Sequence, residues 1–265
     1  MKIGIFDSGL GGLIIAKAIR KHMPEYDYVY LGDTKRVPYG NRSHETVYEF
    51  TKQGVEYLFT KEKCSLVILA CNTASARALR RLQQEYLSKN FPNKKVLGVL
   101  IPTAEECAGL SKVGVLATLG TVASNTFPNE IKKINKNIKV FQNSAPMLVP
   151  LVEAGENRES IPFIKKYLKP LIDRKVEGIV LGCTHYPILK KEIRKILPKN
   201  INILSQDEIV PKKLKEYLKR HKEINSKLTK KGSIRILVTD ITQNVVSLSR
   251  KWFGKGAKPR LVKLK

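Results

Sequence analysis

The chain has 265 residues, 42% of them hydrophobic and 27% charged, an ordinary composition that can bury a large core without disulfide staples. No apolar run approaches the roughly 20 residues of a membrane span, and the N-terminus enters a strand without a charged-then-apolar leader, so no membrane association and a cytoplasmic location are expected. The formal charge is +26, with 22 Lys and Arg against 6 Asp and Glu from Lys190 onward; no nucleic-acid-binding module or aromatic-basic stacking pattern accompanies it, so these lysines read as a solvent-facing coat rather than a nucleic-acid footprint.

In chain order, Lys2–Phe6 is a predicted strand running into Asp7-Ser8-Gly9-Leu10-Gly11-Gly12, a glycine turn ahead of a helix over Leu13–Met23. The spacing fails the dinucleotide pattern, since Ile14 stands where its third glycine belongs. A second strand, Tyr26–Leu31, ends at Gly32-Asp33-Thr34. The turn-rich loop from Arg36 to Ser43 comes next, then a helix over His44–Lys61 with Ser43 as N-cap. The apolar run Leu66–Leu69 reads as a strand buried on both faces, ending on Cys71, with a tight turn and then a helix over Arg77–Tyr86.

Next come a strand at Lys95–Leu100, a helix after Pro102, a strand at Lys112–Ala117 and a helix ending near Ile134. A short strand at Ile138–Gln142, the segment Pro150–Glu153 and a helix over Ile161–Ile172 lead to a second buried run, Gly178–Gly182, which ends on Cys183. Beyond it the pattern predicts a helix over Ile188–Ile196, a strand at Ile201–Leu204 and a basic helix over Glu208–His221. The tail repeats strand, helix and strand from Ile234 to Leu264. This alternation predicts an α/β fold: two similar doubly wound domains with mainly parallel sheets and the active site in the cleft between them.

Four cysteines and four histidines occur without the close pairing that zinc sites require, so no metal is expected. Cys64 and Cys107 have no motif around them and read as core thiols. Cys71 and Cys183 differ because their surroundings match: an apolar strand, a small residue, the cysteine, then Asn72-Thr73 or Thr184-His185. A disulfide couple would need a resolving partner, and acyl transfer would leave one cysteine without a task. Inversion of a stereocentre uses two bases on opposite faces of one carbon. Thiols suit that work because their ordinary pKa of about 8.5 lies near working pH.

The stretches Asp7–Gly12, Gly32–Thr34, Val37–Gly40, Ala70–Ala76, Pro150–Glu153 and Gly182–Pro187 together resemble the bacterial glutamate racemases, within the aspartate/glutamate racemase superfamily. The resemblance runs from Ile3 to about Leu204 and more faintly through the tail. It implies cofactor-independent interconversion of L- and D-glutamate, supplying D-glutamate for peptidoglycan, by a homodimer.

By the same resemblance Cys71 deprotonates the D-isomer and Cys183 the L-isomer. Asp7, Asp33, Glu153 and His185 assist proton transfer, while Asp7, Ser8, Tyr39, Gly40, Asn72, Thr73, Thr184 and His185 bind substrate. It also implies a first domain over residues 1–98 carrying Cys71, a second over 99–205 carrying Cys183, and a segment, 206–265, returning to the first. Ala145, where many members carry cysteine, and Ser205-Gln206-Asp207-Glu208 depart from the family pattern. Related aspartate and hydantoin racemases share the two-cysteine plan, so substrate length stays open at this level, as does a basic nucleic-acid-binding scaffold without catalysis.

Overall fold

The structure is a computed structural model describing residues 1–264. Within the described residues ten strands alternate with helices: β1 Lys2–Asp7, β2 Tyr28–Gly32, β3 Cys64–Leu69, β4 Lys95–Gly98, β5 Lys112–Ala117, β6 Lys139–Ser144, β7 Gly178–Gly182, β8 Asn202–Ser205, β9 Ile234–Val238 and β10 Pro259–Leu261. They form two sheets, ordered β10-β9-β2-β1-β3-β4 and β6-β5-β7-β8. Every pairing is parallel. The two-domain α/β architecture follows from that order, and parallel sheets explain why β1, β2, β3, β5 and β7 are buried along almost their whole length: helices cover both faces.

Strand order also fixes where chemistry belongs. From β1 the chain adds β2 on one side and then β3 on the other, and from β5 it adds β6 on one side and β7 on the other. Each sheet therefore has its topological switch point beside the strand that precedes a cysteine. Connections diverge there and leave a crevice at the carboxyl ends of the strands. Registers Phe6↔Leu69 and Ala117↔Gly182 bring Asp7 beside the residues leading to Cys71, and Thr118 beside Cys183, at those ends.

Several local expectations are revised. The helix after β3 begins at Asn72, not Arg77, because Cys71 is itself the N-cap: its Sγ accepts the Ala74 N–H at 3.4 Å, and no separate turn intervenes. The helix expected after Pro102 begins at Leu100, since a proline in the first turn loses an N–H that has no acceptor inside the helix anyway. One 3₁₀ turn, Tyr186–Leu189, precedes the helix Lys190–Ile196. Ser43 does cap the helix His44–Thr60, accepting the Thr46 N–H at 3.2 Å. The tail strand β9 pairs with β2, and the basic helix Gln206–Arg220 buries Ile209, Val210, Leu214 and Leu218 while Lys212, Lys215 and Lys219 face solvent. Among the described residues, no helix is long and apolar enough to cross a membrane.

Candidate active site

A cavity of about 330 Å³ opens between the two sheets, and both Cys71 and Cys183 line it. Ser8, Tyr39, Gly40, Asn72, Thr73, Glu153, Thr184 and His185 share its wall. Each cysteine is only 6% exposed, so a reacting carbon held between the sulfurs would be screened from bulk water. The glycine turn makes this approach possible: a Cβ on Gly11 would overlap the Thr184 hydroxyl and the His185 ring.

The two thiols occupy unlike electrostatic surroundings. Burial, reinforced by the Asp7 carboxylate, pushes the Cys71 thiol up to about 12, against the opposing pull of the Ser8 hydroxyl and the Ala74 N–H. Cys183 instead faces a histidine. His185 Nδ1 lies 3.8 Å from the Cys183 sulfur, and its Nε2 lies 3.0 Å from Glu153 Oε1. Burial alone would push the imidazole down, but its bonds to Cys183 and Glu153 override burial and hold it up to about 10. Trp252, from the C-terminal helix Gln243–Trp252, meets the His185 ring edge-on at 5.4 Å and fixes its plane. The arrangement is chemically asymmetric: one sulfur keeps its proton while the other has an imidazolium to balance a negative charge.

Asp7 and Asp33 lie behind the cavity wall. The Asp7 carboxylate is buried, accepts the Gly9 N–H at 3.0 Å, and is raised in pKa chiefly by desolvation, with the His185 charge opposing. Asp33 is committed on both oxygens: Oδ2 accepts from Tyr39 Oη at 2.5 Å and Arg36 Nε at 2.6 Å, and Oδ1 accepts from Thr239 Oγ1 at 2.8 Å. Arg36 in turn stacks on Phe50, 4.1 Å from the ring centre. Asp33 thus pins the loop carrying Tyr39 and Gly40 to the end of β9. We expect Asp33→Ala to destabilise the protein by about 3 kcal/mol, read from urea unfolding, because it leaves Arg36 and Tyr39 without their shared acceptor. The kcat pH profile of the folded fraction should keep its shape. A lost limb would instead assign Asp33 to proton transfer.

The family model for Asp/Glu/hydantoin racemase matches residues 14–205. The chain belongs to that family. It is 39% identical to the glutamate racemase of Aquifex aeolicus (strain VF5), covering 98% of this chain and 97% of the relative. Among solved structures it is similar to glutamate racemase from Francisella tularensis subsp. tularensis SCHU S4 in complex with D-glutamate, with 33% identity, a TM-score of 0.90, and coverage of 100% of this chain and 98% of that one. A glutamate racemase isoform from Bacillus anthracis gives 31% identity and a TM-score of 0.89, covering 99% of this chain and 97% of that one.

Three features of this family member acquire a structural role only from the fold. Thr118 and Thr121 close a triangle of hydroxyls with Thr73, at 3.0 and 3.3 Å from it and 3.0 Å from each other, and Thr118 lines the cavity. By composition the stretch Thr118–Thr121 is only the turn that ends β5. Ala145 also lines the cavity, its carbonyl accepting from Tyr186 Oη at 3.0 Å. Gln206 is buried and bonded to Asn72 across 134 residues. Its one signal in the sequence is its place in the Ser205–Glu208 departure from the family pattern.

Proposed function

We propose that this chain racemises glutamate by a two-thiol mechanism without a cofactor, supplying D-glutamate for peptidoglycan. The observation that carries this reading is the pair of buried cysteines that line one cavity, each following a strand at its sheet's switch point. The substrate class is supported by the glutamate racemases that match nearly the full length of the chain.

In the starting state Cys183 is a thiolate paired with protonated His185, and Cys71 is a thiol. The Cys183 thiolate removes the α-proton of L-glutamate, forming an S–H bond as the C–H bond breaks. The electron pair left on the carbon is delocalised into the α-carboxylate, where hydroxyl donors of the wall, among them Ser8 and Thr73, offset the growing charge. Cys71 then delivers its proton to the opposite face, giving D-glutamate and leaving a Cys71 thiolate and a Cys183 thiol. That state is the one competent for D-glutamate, so each direction regenerates the other's starting form. Glu153 and His185 hold the charge balance on one side, and Ser8 and the Ala74 N–H support the anion on the other. Both sulfurs must stay unoxidised, which favours a reducing compartment and hence the cytoplasm. The proposal extends to a homodimer with no nucleic-acid partner, on the strength of the family resemblance.

The test is circular dichroism of L- and D-glutamate incubated separately with the protein and no added cofactor. Both signals should decay to zero. Decay with aspartate alone would retain the mechanism and overturn the substrate, and optical stability of every amino acid tried would overturn the enzyme.

A further inference from the structure

Asn72 immediately follows Cys71 and lines the cavity. Its side-chain amide is engaged from behind by Gln206: Asn72 Nδ2 donates to Gln206 Oε1 at 2.7 Å, and Gln206 Nε2 donates to Asn72 Oδ1 at 2.7 Å. A two-bond amide pair alone could exist with both groups flipped, because the exchange preserves both bonds. The groups that break this symmetry lie further back.

The Val99 carbonyl accepts the Thr103 hydroxyl proton at 2.7 Å, which spends the only proton Thr103 has. Thr103 Oγ1 then faces Gln206 Nε2, at 3.3 Å, as an acceptor, and the Val99 carbonyl itself lies 3.5 Å from the same nitrogen. Two acceptors facing Gln206 require its NH₂ end, and its oxygen is thereby turned to Asn72. Asn72 Oδ1 is in turn committed to Gln206, and one Nδ2 proton is left over. These groups sit on both chain crossings between the sheets, Val99 and Thr103 just after β4 and Gln206 just after β8.

Resting on the racemase reading above, we infer that Gln206 is a positioning residue that locks Asn72 so that it presents an N–H, and never its carbonyl oxygen, to an anionic oxygen of the substrate. The polarity of the cavity wall beside Cys71 is thus set by the backbone carbonyl of Val99, relayed through Thr103 and Gln206. A carboxylate is bound at that wall, and a group that can only donate is refused. Gln206 touches no substrate, so its effect falls on binding more than on the proton-transfer step.

The test compares Gln206→Met, Asn72→Ala and the double variant with the unaltered protein by racemisation kinetics on both glutamate enantiomers. Gln206→Met should raise KM about 10-fold or more, with kcat changed less than about 3-fold, as expected when uniform binding is lost. In the Asn72→Ala background the same change should add less than about 2-fold, since the residue acts only through Asn72. Gln206→Glu supplies a readout that bulk and packing do not move. A protonated glutamic acid can donate to Asn72 Oδ1 and accept from Nδ2, whereas the carboxylate can only accept. Its KM should therefore approach that of the unaltered protein at low pH and climb as pH rises, and this variant also serves if Gln206→Met does not fold. An unchanged KM in Gln206→Met, multiplicative effects in the double variant, or a pH-independent KM in Gln206→Glu would each overturn the inference. Failure of the unaltered protein to racemise glutamate would instead overturn the functional reading beneath it.

Discussion

Cys71→Ser and Cys183→Ser will each lower kcat/KM for both enantiomers together by at least about 10³-fold, the upper part of the range for losing a positioned acid–base group. Both directions fall because each passes through both sulfurs: the residue that takes the proton in one direction gives it in the other. Serine is the sharper substitution at position 71. Cys71 caps the helix Asn72–Arg81 through its sulfur, so alanine would also remove a helix cap, at a cost of about 1 kcal/mol. A serine hydroxyl keeps the cap and is far too weak an acid to exchange protons with an α-carbon at neutral pH. The measurement is racemisation rate beside the urea midpoint. A Cys71→Ser variant that keeps its midpoint and retains more than about a tenth of its activity would remove Cys71 from the chemistry.

The placement of those sulfurs is legible in the sequence because the signal is local. Leu66–Leu69 and Gly178–Gly182 are apolar without alternation, which only a strand covered on both faces tolerates, and a parallel sheet brings the residue just past each such strand to its carboxyl edge. The expected turn after Cys71 fails because a side chain replaces a backbone feature. Asn72-Thr73-Ala74-Ser75 looks like a turn by composition, yet it is the first turn of a helix, because cysteine at the cap accepts an N–H as serine would.

The partners in the contacts that tune the site are not legible in the sequence. Trp252 reaches His185, Gln206 reaches Asn72 and Thr239 reaches Asp33, each from a distant part of the chain. Periodicity reports which face of an element is buried and is silent on which distant residue it meets. The resemblance groups Asp33 with residues that assist proton transfer, while the structure places its oxygens on Tyr39, Arg36 and Thr239 behind the wall. Ion pairing of that kind leaves no trace in a one-dimensional pattern.

His185→Asn will separate the two halves of the reaction. Removing the imidazolium takes away the positive charge beside the Cys183 sulfur and leaves the surroundings of Cys71 largely as they are. Enantiomers have equal free energy, so the equilibrium constant is unity and kcat/KM must stay equal in the two directions whatever the variant does. The imbalance therefore has to appear in isotope effects. With the Cys183 step made slow, the deuterium effect on kcat/KM should grow for α-deuterated L-glutamate, whose labelled bond Cys183 breaks. It should shrink for α-deuterated D-glutamate, whose labelled bond Cys71 breaks in a step no longer limiting. The overall rate should fall about 10²-fold or more.

The same substitution has a signature in stability. His185 holds its proton more tightly folded, near pH 10, than unfolded, near 6.5; its contribution is therefore full below about pH 6.5 and is lost as pH rises through about 10. The buried thiols Cys64, Cys71 and Cys107, each pushed up to about 12 from the ordinary thiol range, cost stability only once the unfolded thiols begin to ionise, from about pH 8 upward. Between about pH 7 and pH 8 the decline of the urea midpoint consequently reports mainly on the histidine. It should be present in the unaltered protein and flattened in His185→Asn. Equal slopes in the two proteins, together with symmetric isotope effects, would mean that His185 is neutral in the fold and that the Cys183 sulfur gains nothing from it.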